Sequence, residues 1–140
     1  GDTAAANALD DYEEGTFNAS LTFGGASVGI TYHHREGSYT KIGNMVTASG
    51  FLYIAAVGTS TGDVNITGLP FVNSSAYRRY VAVSVRITGI SSADTPWGFV
   101  ANGGSSIILG ETTNAGADSI LNNSNFGADS GIMYSVTYRV

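Results

Sequence analysis

The sequence predicts an all-β fold, an antiparallel β-sandwich of the jelly-roll type that occupies residues 15–140. Short runs of Val, Ile, Tyr, Phe and Thr alternate with clusters of Gly, Ser and Asn, and turn signals recur every ~8 to 12 residues. In "VAVSVRI", residues 81–87, every second residue is a large apolar one. That alternation indicates a strand with one buried side and one solvated side. No helical period follows the first dozen residues, and 140 residues suit one domain.

Residues 1–14 differ from the rest and predict a neck or a short N-terminal helix that links the domain to a preceding segment. The stretch "TAAANALDDYEE" is rich in Ala and ends in a cluster of acids, which we interpret as a solvated surface. No Asp-x-Asp-x-Asp-Gly run occurs, so these acids do not have the spacing of a calcium-binding loop.

Nine candidate strands follow from the β-favouring runs of the remaining chain. They are residues 20–23, 29–33, 38–42, 46–57, 63–68, 80–88, 97–101, 106–109 and 133–140. The last of them ends in "VTYRV", which places Val136, Tyr138 and Val140 on one face. The small, polar stretch 111–131 predicts an ordered loop or a surface meander.

The segment "YTKIGNM", residues 39–45, predicts a tight β-hairpin. Gly43 and Asn44 separate two alternating runs, and this pair matches a two-residue type II′ turn with glycine at the position that needs a positive φ. The strand that follows is long and contains Gly50, so we expect a bulge or a bend there.

The composition limits the partners of the domain. Charged residues make up only 12%, the formal net charge is -5, and Lys41 is the single lysine. A nucleic-acid partner would need clustered basic residues, so none is predicted. The longest apolar runs are too short to insert into a membrane, and no signal peptide is recognisable. A surface of hydroxyls, amides and bare backbone suits neutral ligands such as sugars, or close packing between subunits.

No residue pattern predicts catalysis, a metal site or a cofactor. The chain has no cysteine, and its two histidines, His33 and His34, are adjacent, so on a strand they point to opposite faces. Three copies of one histidine on a trimer axis would be the remaining way to hold a metal. The acids that a glycan hydrolase would need are scattered among turn residues, such as Asp94 and Glu111. We therefore predict that the domain is not an enzyme.

Aromatic and basic residues provide the candidate ligand-binding positions. An exposed aromatic ring can stack on the apolar face of a sugar, while arginine and amide groups take the hydroxyls. The segment "YRRY" offers one such surface, in which Tyr80 is expected to point inward. The segment "YHHRE", at a predicted loop, offers another. Trp97 is the single Trp, a residue type that is more often buried than exposed. The predicted contact residues are Tyr77, Arg78, Arg79, Trp97, Tyr32, His33, His34 and Arg35.

Four segments resemble a recurrent C-terminal module of bacteriophage tail fibres, tailspikes and related virion fibres. They are "NALDDYEEGTF" (7–17), "LTFGGASVGITY" (21–32), "GSYTKIGNMV" (37–46) and "TGDVNITGLPF" (61–71). The resemblance is strong over the first half of the chain, and the second half is compatible in character. In "HHRE" the chain departs from the small polar residues expected at that place, which marks this segment as a candidate for individual specificity.

The resemblance implies a homotrimeric β-domain at the distal part of a virion fibre, extracellular when it acts. Its partners would be its own copies, upstream fibre or tailspike domains, and a glycan of the host-cell surface. Two alternatives remain open: a purely structural module that trimerises or caps the fibre, and a glycan hydrolase or esterase. The family's receptors differ from one phage to the next, so the resemblance assigns no binding residue.

Overall fold

The computed structural model describes residues 11–76, 79–91 and 94–140. Its strands are β1 (Tyr12–Thr16), β2 (Ser20–Phe23), β3 (Thr31–Ile42), β4 (Met45–Ala56), β5 (Val64–Thr67), β6 (Val81–Ile90), β7 (Thr95–Val100), β8 (Ile107–Thr112), β9 (Asp118–Ile120) and β10 (Phe126–Arg139). The described residues contain the 3-10 turn Asn123–Asn125 and no α-helix. The all-β, antiparallel prediction is thereby confirmed.

The strands form one curled sheet where the sequence predicts a sandwich of two sheets. The order is β1-β3-β4-β10-β6-β7-β8-β5-β2, with β9 on β8. Strand β6 belongs to both halves, since its first residues, 81–83, pair with β7 and its later residues, from Ser84 onward, pair with β10. A strand that passes from one layer to the other joins them at a corner. Periodicity within a strand predicts which side chains are buried, but it does not show that one strand pairs with both halves of the sheet.

The curl brings the two ends of the sheet together around one core. The largest fully buried side chains come from both halves, from β2, β5 and β8 on one side and from β4 and β10 on the other. Phe23 of β2 packs on Phe126 of β10 with ring centroids 5.7 Å apart. The free edge of β2 lies near β3, because the Leu21 amide donates a 2.8 Å hydrogen bond to the Tyr32 hydroxyl.

The half of the sheet built from β1, β3, β4, β10 and β6 presents a solvent-facing side that we call the outer face. On β4 the exposed residues Met45, Thr47 and Ser49 alternate with buried ones, and β10 alternates in the same way from Ile132 to Arg139. Antiparallel register aligns exposed residues across strands, so the outer face consists of transverse rows of side chains. These rows carry the features discussed below.

The hairpin prediction is confirmed. β3 ends at Ile42, β4 begins at Met45, the two residues pair, and Gly43 has φ 57°. The neighbouring asparagine has no positive φ, as a type II′ turn requires. β1 begins at Tyr12, so residues 12–14 of the segment for which a neck or short helix is predicted form a strand, and residues 1–10 of that segment lie outside the described residues.

Two local predictions on the long hairpin are wrong. No register shift occurs at Gly50, which pairs regularly with Gly37 and Tyr134; the absent side chain makes room for the Tyr134 ring. The segment "YHHRE" is not a loop, because β3 runs without a break from Thr31 to Ile42. Its irregularity lies at His33, as described next.

Candidate functional site

A bulge in β3 places His33 at the surface. Tyr32 pairs with Ile54 and His34 pairs with Tyr53, so three residues of β3 lie against two of β4, and His33 is the extra one. A bulge bends a strand and re-aims a side chain. The result is that both histidines are exposed, and the His33 ring lies against the Tyr53 ring with centroids 4.9 Å apart.

A second, wider bulge in β10 presents Asp129. Phe126 pairs with Ile90 and Gly131 with Thr88, which leaves residues 127–130 outside the ladder. The fully buried Ser130 fastens this bulge: its hydroxyl donates to the Gly89 carbonyl at 2.7 Å and accepts from the Gly127 amide at 3.0 Å. Asp129 itself has φ 67°, a left-handed conformation that is uncommon for non-glycine residues and that Asp adopts more readily than most.

The two bulges converge on Tyr53, and we call His33, Tyr53 and Asp129 the bulge cluster. The Tyr53 hydroxyl donates to Asp129 Oδ1 at 3.1 Å, and His33 Nε2 lies 3.4 Å from the same oxygen. The His33 and Asp129 side chains remain 50% and 69% exposed, so the cluster is accessible to a ligand. Tyr53 also stacks on Phe51, with ring centroids 6.2 Å apart and an angle of 11° between the ring planes. This contact extends the ring surface along β4.

The carboxylate of Asp129 governs the electrostatics of the cluster. The hydrogen bond from the Tyr53 hydroxyl, together with the negative charge of that carboxylate, raises the pKa of Tyr53 above its ordinary value. Tyr53 therefore stays a neutral donor at physiological pH. The cluster offers an imidazole, a phenol, a carboxylate and two ring faces, a set suited to hydroxyl-rich ligands. Within the described residues no group of three or more His, Asp or Glu could hold a metal ion.

The structure separates Tyr32 and Arg35, two other predicted residues of "YHHRE", from this cluster. Tyr32 packs against the core and accepts a hydrogen bond at its hydroxyl from β2. The Arg35 guanidinium lies over the Tyr32 ring, 5.4 Å from its centroid, in a cation–π arrangement. His34 is exposed and pairs with Tyr53 across the strands. The segment thus contributes His33, flanked by His34, to the cluster, and Tyr32 with Arg35 elsewhere.

The second predicted surface lies on the other half of the sheet. Trp97 is half-buried, and its ring covers Gly110, the residue that it pairs with on β8. The Phe99 ring centroid lies 5.9 Å from that of Trp97 and 6.0 Å from that of Tyr80, so these three residues form an aromatic row. Tyr80 is 68% exposed, so the expectation that it points inward is wrong. Strands β10 and β6 lie between this aromatic row and the Tyr53 strand.

Only part of "YRRY" can be placed. Tyr77 and Arg78 lie outside the described residues. The Arg79 backbone is fixed in a loop, since its amide donates to the Asn102 side chain and its carbonyl accepts from the buried Asn73 side chain. The acid Asp94, which the sequence places among turn residues, accepts a hydrogen bond from the Asn114 amide at 3.2 Å and so links two loops.

Sequence reasoning misses Tyr53 and Asp129, the partners of His33. Tyr53 sits in a run that alternates as an ordinary strand, and Asp129 sits in a small, polar stretch. Both become functional candidates only through register and bulges, which join residues that are far apart in the chain. A weak signal does exist, because "FGADSG" interrupts a β-favouring run with turn residues, as a bulge does.

Comparison with known proteins supports the fold. No family model and no curated protein sequence matches this chain. A solved structure, titled "Crystal structure of Dettilon tailspike protein (gp208)", matches with a TM-score of 0.70 and 18% sequence identity over 91% of this chain. The match spans 24% of that chain, so this domain is similar to about a quarter of a tailspike protein. Within the described residues no helix is long and apolar enough to cross a membrane.

Proposed function

We propose that this chain is a fibre-associated domain of a phage tailspike or tail fibre, and that it recognises a glycan of the host-cell surface through the bulge cluster. The observation that carries the proposal is the convergence of two bulges, from β3 and β10, on one tyrosine. The structural similarity to a tailspike protein supports the location in a virion fibre. We further propose that the domain binds and does not catalyse.

The chemistry of the bulge cluster fits a saccharide. A sugar ring presents an apolar face beside hydroxyls that both donate and accept hydrogen bonds. Tyr53 and Phe51 offer ring surface, Asp129 accepts hydrogen bonds, and the His33 imidazole has nitrogens that can donate or accept them. Low overall charge disfavours partners that are held chiefly by ion pairs. This fit supports the proposed recognition of a host glycan at the virion surface.

Glycan binding is expected to depend on Tyr53. The purified domain, fluorescently labelled, is applied to a printed array of bacterial surface polysaccharides. Tyr53→Ala removes the ring that both neighbours contact, so we expect about a tenfold loss of affinity for any polysaccharide that the parent binds. Asp129→Asn, which keeps the side-chain shape and tolerates the positive φ, is expected to weaken binding as well.

The matched control is Tyr80→Ala, since Tyr80 is an exposed tyrosine on the other half of the sheet. It is expected to leave array binding unchanged. A parent domain that binds no polysaccharide, or a Tyr53→Ala variant that binds as well as the parent, would contradict the proposal.

Self-association as a homotrimer is the second proposed property. Tyr12, Ile42 and Met45 form one transverse row of the outer face, at the hairpin end, and they are 50%, 48% and 37% exposed. Such a row of exposed apolar side chains is typical of a protein contact surface. The resemblance to fibre modules supports three copies around an axis.

The oligomeric state tests this proposal directly. Multi-angle light scattering is expected to give three times the 14.4 kDa chain mass for the parent. The double variant Ile42→Ser, Met45→Ser is expected to shift the mass toward the monomer, because burial of this row would stabilise the assembly. The control Val28→Ser changes an apolar residue that is 64% exposed elsewhere and should leave the trimer intact. A monomeric parent would contradict trimerisation.

A further inference from the structure

The outer face contains two shallow, solvent-open depressions between two rows of side chains, and we treat them together as one transverse groove. Two depressions, of about 450 and about 330 Å³, lie side by side on it. They adjoin because Ser49 of the first pairs with Ser135 of the second, and Phe51 pairs with Met133. The groove crosses five strands, which at a strand spacing of ~4.8 Å is roughly 19 Å.

One wall of the groove is a row of small hydroxyl side chains. In strand order they are Thr16, Ser38, Ser49, Ser135 and Ser84. Within the described part of the chain none of these hydroxyls has a hydrogen-bond partner. The next row toward the hairpin differs, since Thr47 and Thr137 bond to each other at 2.9 Å. The wall therefore presents free donors and acceptors at a regular spacing.

The other wall is formed by longer side chains. It runs through Glu36, Phe51, Met133 and Arg86. The height difference between these residues and the serines creates the groove. Phe51 and Met133 offer an apolar surface in the middle, while an acid and a guanidinium close the two ends. Phe51 also separates the groove from Tyr53 of the bulge cluster.

We propose that this groove binds a linear oligosaccharide that runs across the strands. The inference rests on the proposed glycan recognition and deepens it by naming the ligand as an extended chain of pyranose units. Unpaired hydroxyls on one wall and an apolar wall opposite match the two kinds of surface on a sugar chain. The strand spacing is close to the length of one pyranose unit, so each unit meets one strand.

A segment of a second copy suits the groove less well. A protein contact buries apolar area and satisfies each buried polar group. The groove offers five hydroxyls with no partner in the described chain beside one strongly exposed apolar side chain, Met133, whereas the row two places away joins three exposed apolar side chains, Tyr12, Ile42 and Met45. These differences assign the apolar row to self-association and the groove to the saccharide.

The test compares two variants on the same strands. Ser49→Val with Ser135→Val removes two hydroxyls and narrows the groove, and valine is favoured in strands, so the fold is retained. The control is Thr47→Val with Thr137→Val, which lies one row away and outside the groove. The probe is the array polysaccharide that the parent binds most strongly, used whole and as fragments of increasing length, and binding is measured by titration calorimetry.

We expect the serine variant to lose at least about tenfold in affinity for long fragments, and the threonine variant to bind like the parent. Affinity is expected to rise with fragment length until the groove is filled. If Tyr53→Ala weakens binding but the serine variant does not, the groove inference is overturned while glycan recognition stands. If no polysaccharide binds the parent, both the groove inference and the proposed glycan recognition are overturned. A serine variant that dissociates into monomers would make the groove a subunit interface and would also overturn the inference.

Discussion

Replacing Gly50 by alanine is expected to destabilise the domain by about 3 kcal/mol. Gly50 lies in the middle of β4, where Tyr134 of β10 and Gly37 of β3 are its cross-strand partners. An added Cβ would meet the Tyr134 hydroxyl and ring carbon, and it would lie 2.8 Å from the Glu36 carbonyl oxygen. The carbonyl belongs to the backbone and the Tyr134 side chain is only 4% exposed, so neither can move away at low cost.

Urea unfolding followed by circular dichroism measures this effect, and Gly127→Ala provides the control. Gly127 lies in the β10 bulge, and a Cβ added there would have no atom within 4 Å. Its replacement is expected to change the free energy of unfolding by less than about 1 kcal/mol. Equal free energies of unfolding for the two variants would contradict the prediction and would show that the Tyr134 side chain can move away from an alanine at position 50 without loss of stability.

The Gly50 site illustrates which parts of the fold are predictable from sequence. The Gly43-Asn44 turn is predicted correctly because a two-residue turn has a local chemical requirement. The bulge or bend expected at Gly50 is wrong because the requirement for glycine there is imposed by Tyr134, 84 positions away in the chain. Alternation predicts the buried face of β6 correctly, since burial has the same period as the strand. In β10 it places Val136 and Tyr138 on one face, which is buried, whereas Val140, predicted on the same face, lies beyond the strand and is exposed.

In the candidate site, too, the features set by local sequence are predicted and those set by long-range pairing are not. His33 is identified because "HHRE" is chemically unusual for its place, yet the sequence assigns the segment to a loop since charged residues are depleted in strands. Its actual partners depend on a bulge in each of two strands and on the register between them. The curl of the sheet also depends on long-range pairing, because β6 serves both halves. Local patterns contain none of this information.

Stability is expected to fall steeply above about pH 10, because two buried tyrosines must stay protonated in the folded state. Burial raises the pKa of Tyr138 to about 12, although the hydrogen bond from the Phe71 amide opposes this shift. The pKa of Tyr134 is raised further by burial and by the neighbouring Tyr138. In the unfolded chain both lose their protons near pH 10.

The sign of the effect follows from proton linkage. Below about pH 10 both states keep the phenolic protons, so the stabilisation is fully present. Above it the unfolded state binds fewer protons than the folded state, and the free energy of unfolding falls as the pH rises. Each pH unit costs about 1.4 kcal/mol per tyrosine, so Tyr138 alone costs about 3 kcal/mol by its folded pKa of about 12.

Urea unfolding at intervals between about pH 8 and about pH 11 measures the slope. Tyr134→Phe is the informative variant, since the Tyr134 hydroxyl is buried and has no hydrogen-bond partner among the described residues. Removal of this hydroxyl should change the free energy of unfolding little at neutral pH. Above about pH 10 the free energy of unfolding should fall less steeply with pH, because one fewer phenol loses its proton on unfolding. Tyr80→Phe, at an exposed tyrosine, should leave the profile unchanged. A parent whose stability stays constant through pH 11 would mean that these two phenols ionise in place, and hence that the core around Gly50 admits water.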